Sequence, residues 1–246
     1  MSELADLPGA PESRLGPDAL GLLPDATAAP PWRCRVEAVL WWHRAGPAAV
    51  AALPPPLRGR VRLPLVVGAV VRYLDSPVGP YDEVLGAVLY RPLRAHVPFL
   101  AVDSPASVHG GRAHWALPKT LAAFERDTGA ADGDAQDGSG QDVGAEDVGA
   151  AHAGVVAQGP GWRIAATARP RGPQLPALGL LTLDQVVAGQ LRSARVHARG
   201  RARVGRVVVQ VGTDLAGRPG SIAGWLRSGR HPGVVLSGRL RVGRAL

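Results

Sequence analysis

The chain is poor in sulfur and aromatic residues, with one cysteine, one methionine, two phenylalanines and three tyrosines. A lone cysteine, Cys34, cannot close an internal disulfide, which excludes a small secreted fold held by bridges and favours a reducing compartment. Long apolar runs are also missing. One apolar run, Leu63 to Val71, is nine residues, against the roughly 20 that a membrane-crossing helix needs, so no membrane partner is expected. The first residues include Glu3 and Asp6 and no basic segment. They do not read as a signal peptide, and a cytoplasmic location is expected. The most telling scarcity is lysine. Of the 28 basic residues, 27 are arginines and one, Lys119, is a lysine.

What is present is enough for a core. The 246 residues are 46% hydrophobic, which excludes a disordered or fibrous protein over most of the length. The formal net charge of +8 raises nucleic acid as a partner. The same chain, however, is rich in Ala, Gly, Pro and Val, the mark of a GC-rich coding bias that writes arginine wherever a cation is tolerated. Nucleic acid is therefore not expected. Arg195, His197, Arg199, Arg201 and Arg203 alternate with small or apolar residues, which in a strand sets the cations on one side. Gly200 among them hints at a bulge.

Two stretches look soft. Residues 1–30 are proline- and alanine-rich without apolar periodicity and read as a flexible N-terminal arm. Residues 128–161 hold Asp132, Asp134, Asp137, Asp142, Glu146 and Asp147 with no Lys or Arg, and read as a disordered acidic insertion in a loop. A calcium loop is rejected there because the sixth-position glycine and the closing glutamate are missing. The rest, 31–246, reads as one β-rich domain. Arg35–Trp42, Val61–Tyr73, Glu83–Leu93, Phe99–Asp103, Trp162–Ala168 and Val204–Val211 are rich in β-branched residues and bounded by turn residues. Helix is predicted only over Pro47–Leu53 and over Leu183–Leu191 after a Thr182 cap. The fold class is mainly β, an antiparallel sheet closed into a barrel or folded into a sandwich.

In a chain that uses arginine for every other cation, a single lysine points to chemistry that guanidinium cannot do. An amine can lose its proton and attack a carbonyl, whereas arginine stays protonated. Lys119 follows Trp115-Ala116-Leu117-Pro118 and precedes Leu121-Ala122-Ala123-Phe124, apolar surroundings that disfavour the ammonium form. A second cluster, Asp75 to Glu83, is a turn rich in Pro and Gly. It ends on Glu83, a carboxylate out of pattern at the start of an apolar strand and able to shuttle protons. The alternatives at this point are a surface lysine kept by chance and an ordinary strand-end glutamate.

Together, Ser76 to Glu83 (SPVGPYDE), Phe99 to Ser107 (FLAVDSPAS) and Gly111 to Lys119 (GRAHWALPK) resemble the acetoacetate decarboxylase family. The resemblance implies a cone-like antiparallel β-barrel with an apolar pocket, a few short helices, a homo-oligomer, and no cofactor or metal. It places the Schiff-base lysine on Lys119 and the active-site glutamate on Glu83. The carboxylate-steering arginine falls on Arg35, with the neighbouring Arg33 as a competitor for that place and Arg112 as a second residue orienting the substrate. His109 and His114 lie close enough in sequence to assist. Two family residues are replaced: Thr120 stands for a second lysine, and Ala113 for a glutamate. The implied activity is decarboxylation of a small, acetoacetate-like β-keto acid through an imine on Lys119. An aldolase-dehydratase acting on pyruvate-like keto acids and a catalytically silent ligand-binding barrel are the alternatives.

Overall fold

The computed structural model describes residues 2–62, 64–126 and 154–246. Among the described residues, eleven strands form one sheet: β1 (Trp32–Arg44), β2 (Leu65–Asp75), β3 (Tyr81–Arg91), β4 (Arg94–Val102), β5 (Lys119–Leu121), β6 (Ala123–Arg126), β7 (Gly154–Gly159), β8 (Trp162–Pro170), β9 (Leu175–Val187), β10 (Gln190–Thr213) and β11 (Gly229–Ala245). The order β11-β1-β2-β3-β4-β9-β10 closes on itself because β10 also pairs with β11, giving a ring of seven strands and the mainly β class expected. Pairings are antiparallel except β4 with β5 and β4 with β9.

Strand β10 is long enough to serve two neighbours. Its first half pairs with β9 and its second half with β8, while β11 runs along its other edge. From β8 the sheet continues through β7 to β6 and folds over the outside of the ring. Strands β1 to β4 are therefore covered on both faces, which explains runs such as Leu65-Val66-Val67-Gly68-Ala69-Val70-Val71. One face carries Trp41, Val66, Val70, Val84, Val88 and Phe99 into a core shared with Trp162, Ile164, Val207 and Trp225. The alternate positions, Cys34, Val36, Ala69, Val71, Tyr81 and Ala87, face the interior of the ring with Trp32 and Trp115.

Four sequence expectations need correction. Residues 183–187, predicted helical, are the end of β9. Ala188 and Gly189 both have positive φ and form a two-residue hairpin loop into β10, with Val187 opposite Gln190. Gly200 is not a bulge: it pairs in register with Gly238, the register shift lying instead between Ala194 and Val196. The N-terminal arm is docked. Ala10, Glu12 and Ser13 are buried, Ala10 N–H donates to the Pro98 carbonyl at 2.7 Å, and Glu12 accepts from Ser221, Thr213 and the Ile222 amide. Of the acidic stretch, residues 128–153 lie outside the described residues, and 154–161 form β7 and its turn. The helix expected over Pro47–Leu53 is found over Pro47–Ala51. No helix among the described residues is long and apolar enough to cross a membrane.

A helix not expected from the sequence spans Pro105–Trp115. Its signals are local: Ser104 accepts from the Ser107 amide as the N-cap and Pro105 fills the first turn. It ends at Ala116, whose positive φ of 54° lets the Ala116 and Leu117 amides donate back to Arg112 and Gly111. The chain then turns through Pro118 into β5.

Candidate active site

The first residue of β5 is Lys119, held beside Leu100 of β4. Its side chain is buried and crosses Gly111 of the helix. A β-carbon at Gly111 would overlap Lys119 Cδ and Cε, so only glycine fits there. Nζ donates to Glu83 Oε2 at 2.8 Å and to Ser107 Oγ at 2.9 Å, and lies 5.3 Å from the centre of the Tyr81 ring. Ser107 and Gly111 are one helical turn apart and share the face against the lysine.

Glu83, on the inward face of β3, is also buried. Tyr73 donates to its other oxygen at 3.2 Å and stacks on Tyr81 with ring centres 4.1 Å apart. Burial, and after it the neighbouring Glu83 carboxylate, pushes both phenols well above their usual range, so they remain donors. Cys34 lines the same space. Burial first, and Glu83 second, push its thiol up to about 12, which removes it as a competing nucleophile at neutral pH.

These groups stand in the wall of a cavity of about 380 Å3 inside the ring. Apart from them the inward side chains of β1 to β4 that line it are apolar, among them Val36, Ala69, Leu85, Ala87 and Leu100. Exposed Leu178, Arg199, Arg201 and Arg239 also border the cavity and mark its mouth. The arrangement can hold a carbonyl beside a primary amine, with a carboxylate placed to take and return its proton.

The two arginines expected beside Lys119 are elsewhere. Arg112 follows Gly111 and points about 100° further round the helix. Its guanidinium is buried and donates to the carbonyls of Lys119, Leu4 and Ser13. Burial lowers it to about 10, which leaves it charged. Arg112 therefore ties the arm to the backbone of Lys119 and does not face the cavity. Arg35 lies between inward-facing Cys34 and Val36, so strand alternation turns it outward. It lines a second, open groove of about 1050 Å3 with Arg33, His197, Arg199, Arg239 and Arg241, where β1, β11 and β10 place Arg35, Arg239 and Arg199 side by side. The one-sided basic strand is thus found over 195–201, the alternation ending before Val204. This groove shares Leu178, Ala198, Arg199 and Arg239 with the cavity mouth. His109 and His114 lie against the carbonyls of Pro24 and Ala28 and hold the arm, not the cavity.

Sequence reasoning gave no role to Ser107, Tyr73 or Tyr81. The Ser104-Pro105 start signal could have placed Ser107 on a helix with Gly111. Alternation along β3 could have set Tyr81 beside Glu83.

A family model described as acetoacetate decarboxylase matches residues 22–208. No curated protein matches the sequence. Among solved structures, one described as acetoacetate decarboxylase is 16% identical with a TM-score of 0.63, covering 94% of this chain and 97% of that one. Acetoacetate decarboxylase from Legionella pneumophila is 16% identical with a TM-score of 0.58, covering 94% and 95%. The enduracididine biosynthesis enzyme MppR complexed with pyruvate is 15% identical with a TM-score of 0.57, covering 97% of both chains.

Proposed function

Because the chain belongs to the acetoacetate decarboxylase family, we propose that it is a lyase that decarboxylates a β-keto acid through an imine on Lys119. The observation that carries this reading is the buried 2.8 Å pair of Lys119 and Glu83 in the wall of an apolar cavity. The reaction starts when Nζ passes a proton to Glu83 Oε2. The freed amine adds to the keto carbon, and Glu83 returns the proton to the departing hydroxyl, which leaves as water. The protonated imine then draws the electron pair of the breaking carbon–carboxylate bond, releasing carbon dioxide and leaving an enamine. A proton from solvent, relayed through Glu83, reaches the enamine carbon, and water hydrolyses the imine to ketone and free lysine. Overall one proton is consumed. Tyr73 and Ser107 keep the carboxylate and the amine facing each other.

Arg35 has a different role in this reading. With Arg199, Arg239 and Arg241 it makes a positive approach to the mouth, which raises the local concentration of an anionic acid.

The test uses the single lysine. Incubation with acetoacetate or pyruvate followed by borohydride adds the reduced adduct mass, located by peptide mapping at Lys119. An adduct that persists in Lys119→Arg, or none with these or with longer β-keto acids, sinks the imine. A second reading is an aldolase-dehydratase acting on a pyruvate-like keto acid, and the likeness to the pyruvate complex of MppR supports that choice of acid. Trapping with pyruvate, without carbon dioxide release from any β-keto acid, favours it.

A further inference from the structure

We propose that the acid taken by this site carries an extended apolar chain on its keto carbon, and that four-carbon acetoacetate is a poor fit. The inference rests on the imine reading and deepens it by naming the substrate class.

The first argument is size. At the ~30 Å3 that a water occupies in the liquid, the seven or so heavy atoms of acetoacetate take at most roughly 210 Å3. The cavity holds about 380 Å3. What is left admits about five or six methylenes on the same scale.

The second argument is where that space lies and what borders it. Glu83, Leu85, Ala87 and Leu89 alternate along the inward face of β3, and all four line the cavity. From the carboxylate to Leu89 is six residues, a wall ~20 Å long at ~3.3 Å per residue. The imine partner stands at the Glu83 end, since Lys119 is level with Leu100 and Leu100 with Leu85. Further along, Val67, Ala87, Leu89 and Val97 border the cavity and offer no hydrogen-bonding side chain. Water needs two to four polar partners to be held in such a place, so filling that part with a small polar acid and water is unfavourable. A methylene chain suits it, with the keto group at Lys119 and the tail running toward Leu89.

The third argument is the mouth. Leu178, which is 90% exposed, stands there beside Arg199 and Arg239, an entrance with both an apolar lip and cations for a carboxylate with a fatty tail.

The experiment measures carbon dioxide release from straight-chain β-keto acids of four, six, eight and ten carbons. Borohydride trapping on Lys119 runs in parallel. The expected result is a kcat/KM that climbs about fourfold per added methylene and levels off once the cavity is full, near nine or ten carbons. Methyl ketones of the same lengths, added as competitors of trapping, should tighten in the same series, a readout that needs no turnover. Ala87→Leu should stop the climb earlier, lowering the ratio of long-chain to short-chain kcat/KM. A kcat/KM that is flat or falls with length, in protein that still traps acids on Lys119, overturns the substrate class and leaves the imine standing. Absence of trapping with every acid overturns both.

Discussion

Two ion pairs in this protein, each with a buried carboxylate, look alike on paper and differ in what they leave free. Asp184, fully buried, receives two donors on each carboxylate oxygen. Arg94 Nη2 and Ser193 reach Oδ1 at 2.7 and 2.6 Å, and Arg94 Nε and Tyr90 reach Oδ2 at 2.8 and 2.7 Å. The cation is an arginine, which does not give up its proton. This cluster locks β3, β4, β9 and β10 together where β4 meets β9, and has nothing left to offer. Glu83 receives one donor per oxygen, from Tyr73 and Lys119. Its cation is the one lysine of the chain, and that ammonium uses two of its three N–H groups on protein. A saturated pair stabilises a junction; a pair with spare valence beside a cavity can take part in a reaction.

The contrast can be broken most severely at the carboxylate. Glu83→Gln keeps the shape and removes the proton acceptor, and should lower kcat by roughly 100- to 10,000-fold. Because a lysine left without its anion can shed its proton and an arginine left so cannot, the unfolding midpoint should stay above that of Arg94→Met. A Gln variant that loses fold and activity together would make Glu83 a structural residue like Asp184. Arg94→Met should do the reverse. It leaves a buried carboxylate without its cation and costs about 3 kcal/mol, read as a lower urea midpoint at unchanged slope, with borohydride trapping intact in the folded fraction.

Third comes pH. His96, buried against the Asp184 carbonyl at 3.0 Å, is lowered by burial from its usual 6.5 to about 4. Its folded value lies below the unfolded one, so the unfolded chain binds the proton first as pH falls. Stability is full above pH 6.5 and is lost between 6.5 and 4, by roughly 2 kcal/mol at pH 5. Thermal midpoints at pH 7 and pH 5 should drop further in the parent than in His96→Gln. The smallest effect belongs to the open groove. Arg35→Ala should reduce kcat/KM by about tenfold or less at low salt and by almost nothing at high salt, where screening removes long-range attraction. An equal loss at both salts would place Arg35 in direct contact with the acid.

The candidate site was half legible. Lys119 stood out because nothing else in the chain can supply an ε-amine, and Glu83 because it interrupts an apolar strand. Arg112 and Arg35, assigned to the substrate through the resemblance, face away from the cavity because facing, not position in a motif, decides. One residue past Gly111 is another side of a helix, and one residue from Cys34 is the other face of a strand. Parity and the Ser104-Pro105 cap would have corrected both. The docking of the arm was not legible in that way. Its prolines look like a loose segment, and what holds them are bonds to Pro98, Lys119 and Ser221, residues far along the chain whose proximity no local pattern encodes. The hairpin at Ala188-Gly189 misled for the same reason: a Thr cap and leucines suit a helix until strand β10 is there to pair.

The ring that encloses Lys119 is completed by β11, which lies between β1 and β10 and sets Val242 opposite Trp32, 210 positions earlier. During synthesis, Lys119 and Glu83 leave the ribosome more than a hundred residues before that strand does. Until β11 slots into place, the space in front of the lysine is open to water and the amine keeps its hydration shell. Joining such distant segments is slow on the scale of folding. The wall around Lys119 is thus finished only by the last strand to arrive.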